Sequence, residues 1–175
     1  KGVKRQVIVD NVRFAGSKHA VQEAKARFLT NAALSRTSLN DADRQEGTQY
    51  DFAGLWWNHD TKQVSVRQST IDRLPSQIHA DISVAELEST LSRLVYCSPP
   101  LRIPLHEYYY GLKLARRRIA ELNTGKSGPG DSSRLSGRTL AELNEWLCLV
   151  RRNRPARPDR KGTKPLWVVF TDSTL

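Results

Sequence analysis

Two aspartates stand where metal-assisted chemistry could be done. Residues 6–15 read Gln-Val-Ile-Val-Asp-Asn-Val-Arg-Phe-Ala, which sets Asp10-Asn11 between two apolar runs. Residues 166–175 read Leu-Trp-Val-Val-Phe-Thr-Asp-Ser-Thr-Leu, with Asp172 just past a β-prone run. A carboxylate at a strand end is held rigidly and can point into a cleft, which is how phosphoryl-transfer sites present oxygen ligands to Mg²⁺. The plainer alternatives are an ordinary turn at Asp10, since Asp and Asn favour turns for backbone reasons, and a solvated strand end at Asp172. The two aspartates lie near the two edges of the chain, so each site is expected to be cut through and the chain to be a piece of a larger protein. The absence of any Met in the 175 residues points the same way, to a processed or excised segment.

Other chemistry finds less support. His19, His59, His79 and His106 have no metal-ligand spacing, and no Ser-His-Asp or Cys-His pairing can be argued. Gly125-Lys126-Ser127 fails as a phosphate-binding loop, because Ala120 stands where the upstream glycine is required and no strand precedes it. Cys97 and Cys148 lack a CxxC spacing and read as free thiols in a reducing compartment, with a single disulfide as the other option.

The formal net charge of +10 favours a polyanionic partner through counterion release, nucleic acid first, with a merely solvated basic surface as the alternative. The charge is clustered in Arg116-Arg117-Arg118 and in Arg151, Arg152, Arg154, Arg157, Arg160, Lys161 and Lys164, a run broken by Pro155 and Pro158. No stretch approaches the roughly 18 apolar residues of a membrane span, and Lys-Gly-Val-Lys-Arg-Gln has no apolar segment of a signal peptide behind it. An intracellular protein with no membrane partner is expected.

Several elements must position these residues. Val7-Ile8-Val9 and Val12-Arg13-Phe14 around Asp10-Asn11 predict a hairpin. Ser17 then caps a helix to about Leu34, with Val21, Ala24, Phe28 and Ala32 on one face. Residues 35–49 read as a loop. Residues 50–57 and 62–66 predict a second hairpin, turning at Asn58-His59-Asp60-Thr61. Alternation along the first strand sends Phe52 and Trp56 to one face and Trp57 to the other, with one Trp exposed. A short helix over 67–74 ends at Pro75. Ser83-Val84-Ala85-Glu86 is a capping box, followed by Val84, Leu87, Leu91, Leu94 and Val95 at helical spacing until Pro99-Pro100 stops the helix. A helix over about 105–122 buries Leu105, Tyr108, Leu112, Ala115, Ile119 and Leu122 and carries Arg116–Arg118 on its other side. Residues 124–136 hold three glycines and read as a flexible connector. A last helix over about 138–152 carries Leu140, Leu143, Leu147 and Val150. Residues 151–165 read as an extended basic linker, and 166–170 as a strand.

This order resembles the reverse transcriptase of retroelements, closest in flavour to DIRS-like and VIPER-like elements. Ile8-Val9-Asp10-Asn11 looks like the Tyr-x-Asp-Asp box of the palm. Phe52-Ala53-Gly54-Leu55-Trp56 looks like the Phe-Leu-Gly-x primer-grip hairpin. Val84–Tyr96 resembles the thumb helix, with Glu86, Leu87, Leu91, Ser92 and Leu94 at its pattern positions. Leu140–Val150, with Trp146-Leu147, resembles the Trp-containing helix before RNase H. Val168-Val169-Phe170-Thr171-Asp172-Ser173 looks like the first strand of RNase H.

The resemblance implies an α+β architecture. Residues 1–66 would be the end of the palm with its β-hairpins, a helix and the primer-grip-like turn; 67–123 a helical thumb; 124–165 a connection helix and basic linker; and 166–175 the first strand of an RNase H-like domain. It implies an RNA-directed DNA polymerase with RNase H as the full-length parent, inactive as this segment alone, using Mg²⁺ (or Mn²⁺), a template–primer duplex of RNA or DNA, and dNTP. Asp10 and Asp172 would be catalytic metal ligands of the two sites. Phe52, Gly54, Trp56 and Trp57 would form the primer grip, with core packing as the alternative for half of the aromatics. Arg116, Arg117 and Arg118 would track phosphates. Asn11 departs from the family, where a second Asp is common; an amide binds Mg²⁺ weakly. That departure keeps open a second reading, a decayed or domesticated relative that binds nucleic acid without catalysis.

Overall fold

The computed structural model describes residues 3–8, 11–37 and 46–157. Its first unit is an antiparallel hairpin, β1 (Lys4–Ile8) and β2 (Asn11–Ala15), followed by helix α1 (Lys18–Leu34). The register pairs Lys4 with Ala15 and Ile8 with Asn11. Asn11 is therefore a strand residue rather than half of the turn; Val9 and Asp10 lie outside the described residues. Ser17 caps α1 by accepting from the Ala20 N–H at 3.4 Å. The helix face foreseen from spacing is the less exposed one, with Ala32 buried and Phe28 meeting Phe14 of β2 edge to face at 5.7 Å.

A three-stranded antiparallel meander follows: β3 (Gln49–Phe52), β4 (Leu55–Asn58) and β5 (Gln63–Val66). The expected single strand over 50–57 is broken in two. Ala53 (φ +51°) and Gly54 (φ +72°) form a two-residue turn that pairs Phe52 with Leu55. Positive φ at both central residues matches the right-handed twist of the flanking strands. The break reverses the expected faces. Cross-strand partners share a face, so Tyr50 and Trp57 lie with Phe52 and Leu55, while Trp56 lies with Asp51 and Ser65 on the other.

One turn of helix, α2 (Gln68–Ile71), leads to α3 (Val84–Leu101). The capping box forms at α3: Ser83 Oγ accepts from the Glu86 N–H at 3.3 Å, and Glu86 accepts in return from the Ser83 N–H at 3.3 Å. The Ser83 hydroxyl, which donates to the Glu86 carboxylate at 2.7 Å, and then the Ser83 N–H hold that carboxyl below its usual range. Pro99 and Pro100 do not stop α3 but sit within its last turn, and Arg102 (φ +58°) ends it. The carbonyls those prolines leave without a helical donor belong to Val95 and Tyr96, both on the exposed side. A 3₁₀ turn (Leu105–Tyr108) opens α4 (Tyr109–Asn123), and α5 (Gly137–Arg151) closes the order.

A single core cluster joins the meander to the helices. It includes Val66 of β5, Ile71 of α2, Leu87, Leu91 and Leu94 of α3, Ala115 of α4, and Leu143, Trp146, Leu147 and Val150 of α5. Trp146 is fully buried, stacked on Tyr108 at 4.7 Å, and its indole N–H donates to Ser98 Oγ at 2.8 Å. Cys97 is buried, Cys148 is exposed, and both are free thiols.

Two segments expected to be loose are pinned. In the 124–136 connector, the Asp131 and Pro129 carbonyls accept from the Val84 and Ala85 N–H groups at 2.9 and 3.0 Å. Those are first-turn donors of α3, which the helix itself cannot satisfy. After α5, Ala156 exchanges two backbone bonds with Val64 at 2.8 and 2.9 Å, so the described start of the basic linker docks on the edge of β5. The strand expected over 166–170 and the rest of the linker lie outside the described residues. Among the described residues, no helix is long and apolar enough to cross a membrane.

Candidate nucleic-acid interface

The residues expected to form a primer grip divide between the two faces of the meander. Phe52 is 9% exposed and lies under the guanidinium of Arg13, which reaches across from β2 and also caps the Trp57 ring at 4.4 Å. Trp57 stacks in turn on His59, and the Tyr50 hydroxyl meets His59 Nε2 at 2.8 Å. Arg13 Nη1 and Trp57 Nε1 are buried with no hydrogen-bond partner, so the cation–ring contact is the main attraction holding this pair. Phe52 and Trp57 therefore pack; they join the first hairpin to the meander.

Trp56 is 38% exposed and is the Trp left open to solvent on this sheet. It borders a shallow depression of about 380 Å³ lined also by Asp51, Ser65, Arg67 and Asn153. Arg67 pairs there with Asp51 at 3.3 Å. Gly54 faces α3 rather than open space: a Cβ added to it would lie 2.5 Å from the Tyr96 hydroxyl, which donates to the Ala53 carbonyl. Close approach is the reason for glycine here, and the approaching group is a side chain of α3.

The arginine run on α4 also divides. Arg118 is turned inward, where Nε and Nη2 donate to the Ser133 carbonyl at 3.2 and 3.0 Å and Nη1 pairs with Glu121 at 2.6 Å. It ties the connector to α4, with its guanidinium partnered inside the protein. Arg116 and Arg117 are exposed.

Exposure on α4 also brings in residues outside the arginine runs. Tyr109 and Tyr110 are 56% and 44% exposed, with their rings 5.6 Å apart at 72°. Lys113 lies over Tyr109 at 5.7 Å, and Arg138 of α5 lies over Tyr110 at 4.1 Å. Among the described residues, none of Lys113, Arg116, Arg117 and Arg138 is in an ion pair. Helical periodicity carries a signal for the tyrosines and Lys113, which complement the buried stripe. Arg138 comes from another helix and leaves no such signal.

Asp10 and Asp172 lie outside the described residues. Among those described, no group of three or more His, Cys, Asp or Glu side chains is placed to hold a metal ion. No family model, curated protein or solved structure significantly matches the chain.

Proposed function

We propose that the chain is the part of a retroelement reverse transcriptase running from the end of the palm through the thumb and connection towards RNase H. The observation that carries this reading is the order of elements: a hairpin beside Asp10, a helix, an antiparallel meander turned at Ala53-Gly54, a capped helix, and a bundle of helices behind it. Phe52-Ala53-Gly54-Leu55 span the β3–β4 turn, and the capped helix carries Glu86, Leu87, Leu91 and Leu94. In the full-length parent, Asp10 would contribute one carboxylate to a Mg²⁺ site that activates the primer 3′-hydroxyl. The chain's own part would be to hold the template–primer duplex, which is read by shape and backbone rather than by sequence.

Primer extension by the full-length protein tests the reading. Asp10→Asn should lower extension at least about 100-fold, as expected for loss of a group acting on the transition state. Extension that survives the change removes Asp10 from the metal site.

Asn11 favours a second reading, a nucleic-acid-binding relative without catalysis. Under the first reading Asn11→Asp keeps or raises extension. Under the second, neither the parent nor Asn11→Asp extends a primer, while both bind the duplex.

A further inference from the structure

We infer that the exposed face of α4, with Arg138 of α5, binds single-stranded nucleic acid through one stacked base and a short run of phosphates. This goes beyond duplex binding, and it stands whether or not the chain belongs to a polymerase.

The face has a defined chemistry. Tyr109, Lys113, Arg116 and Arg117 recur at helical spacing along one side, over about 12 Å of axis at 1.5 Å per residue. Two neighbouring tyrosines are left exposed at one end. The cations beyond them carry no carboxylate partner among the described residues, so their charge is available to an external anion. Charge complementarity selects a polyanion, and the aromatic end selects among polyanions. A duplex keeps its base faces stacked and offers nothing to an exposed ring, whereas a single strand offers a base face at every nucleotide.

The ring geometry limits the platform to one base. At 72° the two tyrosine planes cannot both lie parallel to adjacent stacked bases. One ring stacks while the other stands edge-on. Lys113 and Arg138 lie against the two rings, which orders them before a base arrives and lowers the entropy cost of binding. From that base the strand would pass Lys113, Arg116 and Arg117, a footprint of a few nucleotides. Arg118 takes no part, since Ser133 and Glu121 occupy it.

Fluorescence anisotropy with a labelled oligo(dU) or oligo(U) strand, and in parallel an RNA–DNA hybrid duplex of equal length, tests this on the whole chain. The variants are Tyr109→Ala/Tyr110→Ala and Arg116→Gln/Arg117→Gln, all at exposed positions; an unchanged thermal midpoint certifies their folding. Removing the tyrosines should weaken single-strand binding about tenfold and leave duplex binding within about twofold, since backbone contacts dominate there. Removing the arginines should weaken single-strand binding and flatten its log–log salt slope by roughly 1.4. Equal loss on strand and duplex after tyrosine removal overturns the inference in favour of a duplex-backbone surface. No loss from either variant overturns it altogether. Displacement of the strand by polyglutamate at equal charge overturns it in favour of an acidic protein partner. Duplex affinity of the unaltered chain is read in its own arm, so failure of the polymerase reading is seen separately.

Discussion

Gly54 is held by two constraints that can be separated by mutation. Its φ of +72° strains any residue with a Cβ, and its neighbour across the gap is the Tyr96 hydroxyl. Gly54→Ala should therefore destabilise the protein by about 1–3 kcal/mol, measured by urea unfolding. Tyr96→Phe removes the atom that a Cβ would strike but leaves the backbone strain. In the double variant the clash is relieved, so the two costs should fail to add by about 0.5 kcal/mol or more. Additive costs would mean that the turn shifts freely away from α3. The primer-grip reading of Gly54 concerns an incoming strand; this contact is intramolecular and acts on the free protein. Arg118 makes a similar point about residue type. From its position in a run of three it looks like its neighbours, and its bonds to the Ser133 carbonyl, 15 residues further on, and to Glu121 distinguish it.

At the scale of elements, the edge of β5 is closed by a side chain. The Asn153 amide accepts from the Val66 N–H at 3.0 Å and donates to the Val66 carbonyl at 2.7 Å, as a neighbouring strand would. Both bonds are part-buried at the rim of the depression beside Trp56. Asn153→Ala removes both and should cost about 1–2 kcal/mol, water replacing part of what is lost. Amide exchange at Val64 and Val66 should rise with it, because the Ala156 bridge depends on the same turn; exchange unchanged at both would show that the edge is held some other way. This closure explains what could and could not be read in advance. The helices were legible because α1 and α3 announce themselves with Ser17 and Ser83 caps, and α1, α3 and α5 repeat their apolar residues at local spacing. The docking of 152–157 and of the 124–136 connector was not, since each depends on partners far away in the chain. The β3–β4 turn was missed for a local reason: Ala-Gly, unlike Asn-Gly, does not advertise positive φ at its first residue. Of the candidate site, the arginines and the exposed Trp on the meander were visible in the sequence, whereas the tyrosine–arginine contact between α4 and α5 required the packing of two helices.

At the scale of the molecule, the shared core ties α3, α4 and α5 to β5, and Cys97 reports on it. Its thiol is fully buried in that core, and burial pushes its pKa up from 9.0 to about 11. The folded state thus holds the proton more tightly than the unfolded state. The sign follows from linkage: this contribution to stability is whole below pH about 9 and is lost as pH rises towards about 11. Cys148 is exposed on α5 and serves as an internal control. A thiol reagent at pH 8 should label Cys148 at once and leave Cys97 unlabelled. With added urea, Cys97 labelling should appear over the same range as the loss of Trp146 burial, because the thiol opens only when the core does. Cys97→Ser should reduce the alkaline loss between pH 9 and 11, the part due to the raised Tyr96 and Tyr108 hydroxyls remaining, while its buried hydroxyl lowers stability at neutral pH unless it finds a partner. Rapid labelling of Cys97 without denaturant would show that α3 opens independently of the other helices. The α3 helix would then be coupled to the rest less tightly than a core running from Val66 to Val150 implies.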